Sequence, residues 1–314
     1  MRLLVTGGAG FIGSNFVNRV ISRYQGNEIT VLDAFTYAAN RRNLDPVIGG
    51  ITVIEGNICN YDLVDAAVSD VDAVVHFAAE SHNDNSIRNP ELFYETNVMG
   101  TLNLAKACIQ HGVRLHHVST DEVYGDLPID SNEEFTRETP YNPSSPYSAS
   151  KAASDHLVRA WVRTYNLQAT ISNCSNNYGP NQHPEKLIPA TIGKVMKGEK
   201  PHVYGNGLNV RDWIHVDDHT DGIMQVLDKG QIGESYLFGA RNQLNNLQVV
   251  RKILEIMGKP EDFIDFVADR PGHDAKYAID PSYAERNLAW RPAHNNLMDE
   301  LPRLVDHYTS SMSS

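Results

Sequence analysis

The sequence predicts an α/β protein: a doubly wound parallel sheet with a smaller mixed α/β region after it. Three observations carry that expectation. Short apolar runs alternate with helix-period segments through the first half of the chain. A glycine cluster directly follows the first apolar run. After about residue 177 turn residues become frequent and the helical segments shorten.

Strands are expected at residues 2–6, 29–32, 52–55, 73–78 and 115–119, with a further one at 168–173. Each is short, rich in Val, Ile, Leu or Phe, and most end in Gly, Asp, Asn or Ser. Helices are expected at 11–24, 61–69, 90–111 and 147–165. Strand and helix in alternation make βαβ units, hence a parallel sheet covered on both faces. The second region offers turns at Tyr178-Gly179-Pro180-Asn181 and Gly205-Asn206-Gly207, with helices at 186–197, 217–227, 247–257 and 297–308. The expected division is a dinucleotide-binding domain over 1–177 and a substrate-binding region over 178–314, with the chain interwoven between them. The Ser-rich tail at 310–314 is expected to fray.

The net charge of −12, from 27 Lys+Arg against 39 Asp+Glu, repels phosphate backbones and argues against nucleic-acid binding. Cys59, Cys108 and Cys174 are odd in number and far apart, which argues against a disulfide framework or a Cys-rich zinc site. The thirteen histidines include no H-E-x-x-H, and no metal is expected. In a strand, His116 and His117 point to opposite faces. No run of 18 apolar residues is present and the N-terminus runs straight into a strand, so a cytoplasmic protein without membrane attachment is expected.

Thr6-Gly7-Gly8-Ala9-Gly10-Phe11-Ile12-Gly13 joins the first strand to the first helix. Gly8, Gly10 and Gly13 satisfy G-x-G-x-x-G, and Gly7, Gly10 and Gly13 satisfy G-x-x-G-x-x-G. Glycine permits the tight turn and lets backbone N–H groups approach a pyrophosphate at the helix N-terminus. Asp33 lies 20 residues after Gly13 at the end of the second strand, where a carboxylate accepts both ribose hydroxyls of NAD. Ala34 follows, with no adjacent cation for a 2′-phosphate, so NAD is favoured over NADP; Arg41 and Arg42 lie further downstream.

Tyr147-Ser148-Ala149-Ser150-Lys151 puts a phenol and an ammonium one helical turn apart. The lysine is expected to lower the phenol's pKa; moving it from ~10 to near 7 takes roughly 4 kcal/mol. A phenolate then accepts a proton from a sugar hydroxyl while hydride leaves its carbon. Thr120, Asp121 and Glu122 begin a loop at the carboxyl end of the fifth strand, where open α/β sheets bind ligands. Two adjacent carboxylates also suit a helix start, and sequence does not say which of them would carry a proton.

With these motifs the chain resembles the extended short-chain dehydrogenases/reductases, in particular their nucleotide-sugar 4,6-dehydratase branch. The resemblance rests on residues 5–15, 33–38, 76–82, 119–125, 144–151, 173–180, 185–189, 209–218, 246–247, 269–274 and 277–280. The Asp-Glu pair after Ser-Thr separates the dehydratases from their epimerase relatives. The resemblance implies a lyase acting on a nucleotide sugar, dTDP-glucose foremost. Tyr147 would take the proton of the 4-hydroxyl as NAD takes hydride from C4. Glu122 would remove the C5 proton and Asp121 protonate the departing 6-hydroxyl. Hydride would then return to C6 and a proton reach C5, with no net consumption of NAD. Thr120 would bond the 4-oxygen, and Lys151 would tune Tyr147 and hold the nicotinamide ribose.

By the same resemblance NAD would also meet Phe35, Thr36, Asn57, Ile58, Phe77, Ala78, Ala79, Ser81, Thr96 and Asn177, beside Gly7, Gly10, Phe11, Ile12, Gly13, Asp33 and Ala34. The nucleotide sugar would meet Ser81, Thr120, Asn176, Lys186, Leu187, His202, Val203, Asn246, Asp269 and His273. Arg211 would clamp the diphosphate, Tyr204 stack on the base, and Arg270 line the same pocket. A homodimer through a bundle of helices from 90–111 and 147–165 is also implied.

The chain departs from the family pattern at several points. Asn57 stands for an aspartate and Ala34 for a lysine; Asn83 and Asn85 stand for valine and arginine, and Ala275-Lys276 for two arginines. The competing readings are a dehydratase or epimerase for a UDP- or GDP-linked sugar, and a catalytically silent NAD sensor, which would need neither Tyr147–Lys151 nor the carboxylate pair.

Overall fold

The computed structural model describes residues 1–313. Its strands in chain order are β1 (Arg2–Thr6), β2 (Glu28–Asp33), β3 (Ile51–Glu55), β4 (Ala73–His76), β5 (Arg114–Thr120), β6 (Ala169–Cys174), β7 (Asn176–Tyr178), β8 (His202–Tyr204), β9 (Val210–His215), β10 (Ser235–Phe238), β11 (Gln243–Asn245) and β12 (Asp265–Val267). The helices of the first half are α1 (Phe11–Arg23), α2 (Tyr61–Val68), α3 (Asn83–Arg88), α4 (Pro90–Tyr94), α5 (Thr101–His111) and α6 (Pro146–Tyr165). Those of the second half are α7 (Leu187–Met196), α8 (Val216–Lys229), α9 (Asn246–Ile256), α10 (Ser282–Leu288) and α11 (Leu297–Ser313).

Seven strands form one parallel sheet in the order β3-β2-β1-β4-β5-β6-β10. Its first six strands have the doubly wound Rossmann order. Alternate residues feed two cores: Leu4, Val74 and Leu115 pack on α2, α5 and α6, while Leu3, Val5 and Val75 pack with Phe16, Val17, Ile223 and Met224 of α1 and α8. Burial on both faces is why these strands read as continuous apolar runs. His116 and His117 follow the alternation, bonding Thr170 and Ser172 on one side and Ser154 on the other.

Two elements of the second half, α8 and β10, complete this sheet layer. Residue 177 therefore marks a change of sequence texture rather than a cut between layers. The rest of that half holds a three-stranded sheet β11-β9-β7, the pair β12-β8, and a core of α7, α9 and α11 around Trp213 and Tyr178.

Three expectations need correction. Residues 90–111 are not one α-helix: Glu95–Gly100 is a π-helical segment between α4 and α5. The added backbone turn aims Asn97 inward, where it brackets Glu80 through N–H and C=O at 2.9 and 3.0 Å and donates to Ser150 at 2.8 Å. The tail does not fray within the described residues, because α11 runs through Ser313; Ser314 lies outside them. Short strands at 202–204, 243–245 and 265–267 were not expected at all. Among the described residues no helix is long and apolar enough to cross a membrane, and no group of three His, Cys, Asp or Glu is placed to hold a metal.

Candidate active site

Strand order reverses between β1 and β4, which opens a crevice at their carboxyl ends. A cavity of about 650 Å³ lies there. Gly7, Gly10 and Gly13 line it, whereas Gly8 packs against Val31. The G-x-x-G-x-x-G spacing is thus the one that shapes the cavity. Gly7 has φ +70°, and a Cβ there would lie 2.6 Å from the Ala78 nitrogen. Gly10 caps α1 with no side chain, so the first turn at Phe11, Ile12 and Gly13 opens directly onto the cavity.

Asp33 sits at the end of β2, accepting from Ala9 N at 2.9 Å and Phe35 N at 2.8 Å. Burial raises its pKa, and those two N–H groups oppose the rise. Ala34, Thr36, Asn57, Ile58, Phe77, Ala78, Ala79, Ser81, Thr96 and Asn177 also line the cavity. Asn57 closes a local turn by accepting from Cys59 N at 2.8 Å. Phe35 does not line the cavity; it has φ 48°, and its ring carries the Arg41 guanidinium at 3.7 Å. Arg41 also pairs with Glu55, the neighbour of Asp33 across the β2–β3 pair, and its charge opposes the rise in the Asp33 pKa. An open helix N-terminus, a methyl-intolerant turn and a strand-end carboxylate fit a dinucleotide.

The chemistry-bearing groups stand at the end of β5 and the start of α6. Thr120 caps the short 3-10 turn Asp121–Tyr124, accepting from Glu122 N at 3.3 Å and donating to Asp121 Oδ1 at 3.3 Å. Asp121 is 2% exposed, and its Oδ2 has no hydrogen-bond partner. Burial, then the Glu122 and Asp212 carboxylates, push its pKa well above the usual range. Burial also raises Glu122, but Asn83, Lys186 and Arg211 pull it back. The surroundings therefore favour a proton on Asp121 more than on Glu122.

Tyr147 and Lys151 lie one turn apart on α6, whose capping box at Ser145 and Ser148 fixes where the helix starts. Both line the cavity. The expected lowering of the phenol does not hold. Burial, then Glu122, hold Tyr147 well above its ordinary value. Lys151 instead donates to Val118 O at 2.8 Å, and burial lowers its own pKa to about 8. Burial and the facing carboxylates both disfavour the phenolate, so a neighbouring cation has to offset them before the phenolate can form and accept a proton.

A second cavity of about 330 Å³ adjoins the first. Glu122, Asn176 and Lys186 line both, so the carboxylate sits at the junction. Leu187, His202, Val203, Tyr204, Arg211, Asn246, Arg270 and His273 line the second cavity. Asp269 does not; it accepts from Arg270 N at 2.8 Å and meets His273 Nδ1 at 2.6 Å, which places it behind the wall. Arg211 donates to Val210 O and Asp274 O and lies 4.2 Å above the Tyr277 ring. The Arg270 guanidinium lies 4.8 Å above the Tyr204 ring.

Sequence reasoning missed three side chains here. Cys174 lines the first cavity, and burial pushes its thiol up to about 12. Tyr277 lies under Arg211, and its motif had been noticed without a role. Asn83 bonds Glu122 at 3.1 Å, and its only signal was departure from the family pattern.

Over residues 4–300 the sequence matches the family described as GDP-mannose 4,6 dehydratase. The dTDP-glucose 4,6-dehydratase of Mycobacterium tuberculosis (strain H37Rv) is 54% identical over 313 residues, covering 100% of this chain and 95% of that protein. The dTDP-glucose 4,6-dehydratase of Mycolicibacterium smegmatis gives the same identity and coverage. Among solved structures, DesIV, a dTDP-glucose 4,6-dehydratase from Streptomyces venezuelae with NAD and TYD bound, superposes with a TM-score of 0.96 at 45% identity, covering 100% of this chain and 98% of that one. A UDP-glucose 4-epimerase from Thermus thermophilus in complex with NAD gives a TM-score of 0.89 at 30% identity, covering 99% and 100%. The chain belongs to the family described as GDP-mannose 4,6 dehydratase, within the extended short-chain dehydrogenases/reductases.

Proposed function

We propose that this protein is an NAD-dependent hydro-lyase that converts dTDP-glucose to dTDP-4-keto-6-deoxyglucose and water. The observation that carries the reading is Asp121 beside Glu122 at the junction of two cavities, in environments that separate their proton affinities. Relatives 54% identical along the whole chain, named dTDP-glucose 4,6-dehydratase, support the choice of substrate over UDP- or GDP-linked sugars.

The glycine turn, Asp33 and the first turn of α1 would hold NAD, which would supply a hydride acceptor for C4 and a hydride donor for C6. Tyr147 accepts the proton of the 4-hydroxyl, and Thr120 hydrogen-bonds the same oxygen. Lys151 holds a positive charge beneath them. Once C4 is a ketone the C5 proton is acidic; Glu122 takes it and, after C6 has received hydride, returns a proton to C5. Asp121, protonated by burial, gives its proton to the 6-hydroxyl, which leaves as water. Arg211, Arg270 and Lys186 offer cations to the diphosphate, and Tyr204 a ring to the base.

A division at residue 177 follows these roles: 1–177 supplies the cofactor site and 178–314 most of the nucleotide-sugar site. Leu92, Tyr94, Met99 and Ile109 are exposed between α4 and α5, and Tyr165 at the end of α6. That apolar surface supports a homodimer through these helices. Three unpaired cysteines suit a reducing compartment such as the cytoplasm.

The test is incubation with dTDP-glucose, UDP-glucose and GDP-mannose, with products resolved by mass. Loss of water from dTDP-glucose is expected. Turnover of none of them, or a C4 epimer of dTDP-glucose, would contradict the reading.

A further inference from the structure

We propose that Asn83 is a positioning residue: it holds the Glu122 carboxylate in its proton-accepting form and ties it to the N-terminus of the helix that carries Tyr147 and Lys151. The inference rests on the reading of Glu122 as the C5 base.

Asn83 opens α3, across the cavity from β5. Its Nδ2 donates to Glu122 Oε2 at 3.1 Å, and its Oδ1 accepts from Ser145 Oγ at 2.9 Å. Ser145 is the N-cap of α6, where its Oγ accepts from Ser148 N at 3.1 Å. The orientation of the amide follows from its partners. An ionised carboxylate only accepts, so the atom facing Glu122 is the NH₂. The Ser145 oxygen takes the helix N–H and has one proton to give, which goes to the amide oxygen. The base and the start of the helix bearing Tyr147 and Lys151 are thus joined through one side chain.

Asp274 opposes a negative charge on Glu122, and Lys186 and Arg211 favour it; that charge in turn holds Asp121, Tyr147 and Tyr277 toward their protonated forms. Both cations have other hydrogen-bond partners: Lys186 donates to Ser81 O at 3.3 Å, and Arg211 to Val210 O and Asp274 O. Among the described residues Asn83 is the one side chain that hydrogen-bonds the Glu122 carboxylate. Burial raises the proton affinity of Glu122, and the Asn83 bond is the largest influence opposing it. An apolar residue at position 83 would make neither bond. Elimination should therefore depend on Asn83, while oxidation at C4 should depend on it far less.

Two variants test this. Asn83→Leu removes both bonds; Asn83→Asp keeps an acceptor for Ser145 but turns the donor facing Glu122 into a second acceptor. The Glu122 carboxyl is titrated by infrared spectroscopy on protein labelled with ¹³C-carboxyl glutamate, its band identified by loss in Glu122→Gln. The proton affinity of Glu122 should rise about tenfold in Asn83→Leu, the scale of one charge-assisted hydrogen bond, and further in Asn83→Asp. With dTDP-glucose in deuterated water, entry of deuterium at C5 should slow by tenfold or more at neutral pH. Its acid limb should move up by about one pH unit, with the first burst of C4 oxidation retained. Should Asn83→Leu fail to fold, Asn83→Asp alone decides. An unchanged Glu122 titration in a folded variant overturns the proposal. Failure of the parent protein to turn over dTDP-glucose overturns the functional reading instead, and the infrared titration still decides the role of Asn83.

Discussion

The two cavities are built by opposite means. The larger is a backbone surface: a glycine turn, the open end of α1 and the carboxyl ends of adjacent parallel strands. The smaller is a side-chain surface, assembled from α3, α7, β8, β9 and the loop around Arg270. A backbone surface has no slack, so one added methyl group reshapes it. A side-chain surface spreads recognition over many groups, so each loss is partial. Glu122 lies where the two meet, with Asp121 beside it on the side of the first.

That contrast can be broken from either side. On the backbone side, a left-handed φ costs an L-residue about 1–2 kcal/mol, and overlap with Ala78 adds to it. Gly7→Ala should weaken NAD binding by roughly a hundredfold or more, read by fluorescence titration. Retention of affinity within threefold would mean the cradle tolerates side chains after all. At the junction, Glu122→Gln should lower product formation by about 10³-fold while reduced nicotinamide builds up on the enzyme, seen in the near ultraviolet. Unchanged product formation would show that Glu122 is not the base.

The pH profile adds a second test at the junction. Burial lowers Lys151 to about 8, so its positive charge is present below that pH and lost above it. The kcat/KM of the free enzyme should therefore fall above about pH 8, approaching tenfold per unit. A flat alkaline limb to pH 10 would remove Lys151 from the account.

On the side-chain side the effects should be smaller. Arg211→Lys gives up planar, two-pronged phosphate recognition and should raise KM about tenfold with kcat little changed. Tyr204→Ala should raise KM by about threefold, the low end of an aromatic contact. A large drop in kcat from either would show that the second cavity does more than bind.

The same contrast explains what was legible in the sequence. The glycine turn, Asp33 and the Thr120–Glu122 loop all lie at the ends of buried strands; spacing located the first two, and the family resemblance gave the third its role. The spacing did not say which glycine triplet lines the cavity; packing of Gly8 on Val31 decided that. One wall of the second cavity comes from a three-residue strand, His202–Tyr204, paired with Asp265–Val267, and so short a strand carries no periodicity to read. The π-helical turn at Glu95–Gly100 hid inside an ordinary helical pattern, because what marks it out is a tertiary contact of Asn97 with Ser150, 53 residues away. Asn83 was visible only as a departure from a family pattern. Its meaning depends on Glu122 and Ser145, which lie 39 and 62 residues away.

The central claim is that two neighbouring carboxylates turn a dehydrogenase scaffold into a lyase that returns its hydride. Turnover of dTDP-glucose in deuterated water, with position-resolved analysis of the product and simultaneous absorbance, tests it most directly. The account predicts solvent deuterium at C5, hydrogen from C4 delivered to C6, and no net accumulation of reduced nicotinamide. Reduced nicotinamide rising in step with product, or a product without solvent deuterium at C5, would contradict it.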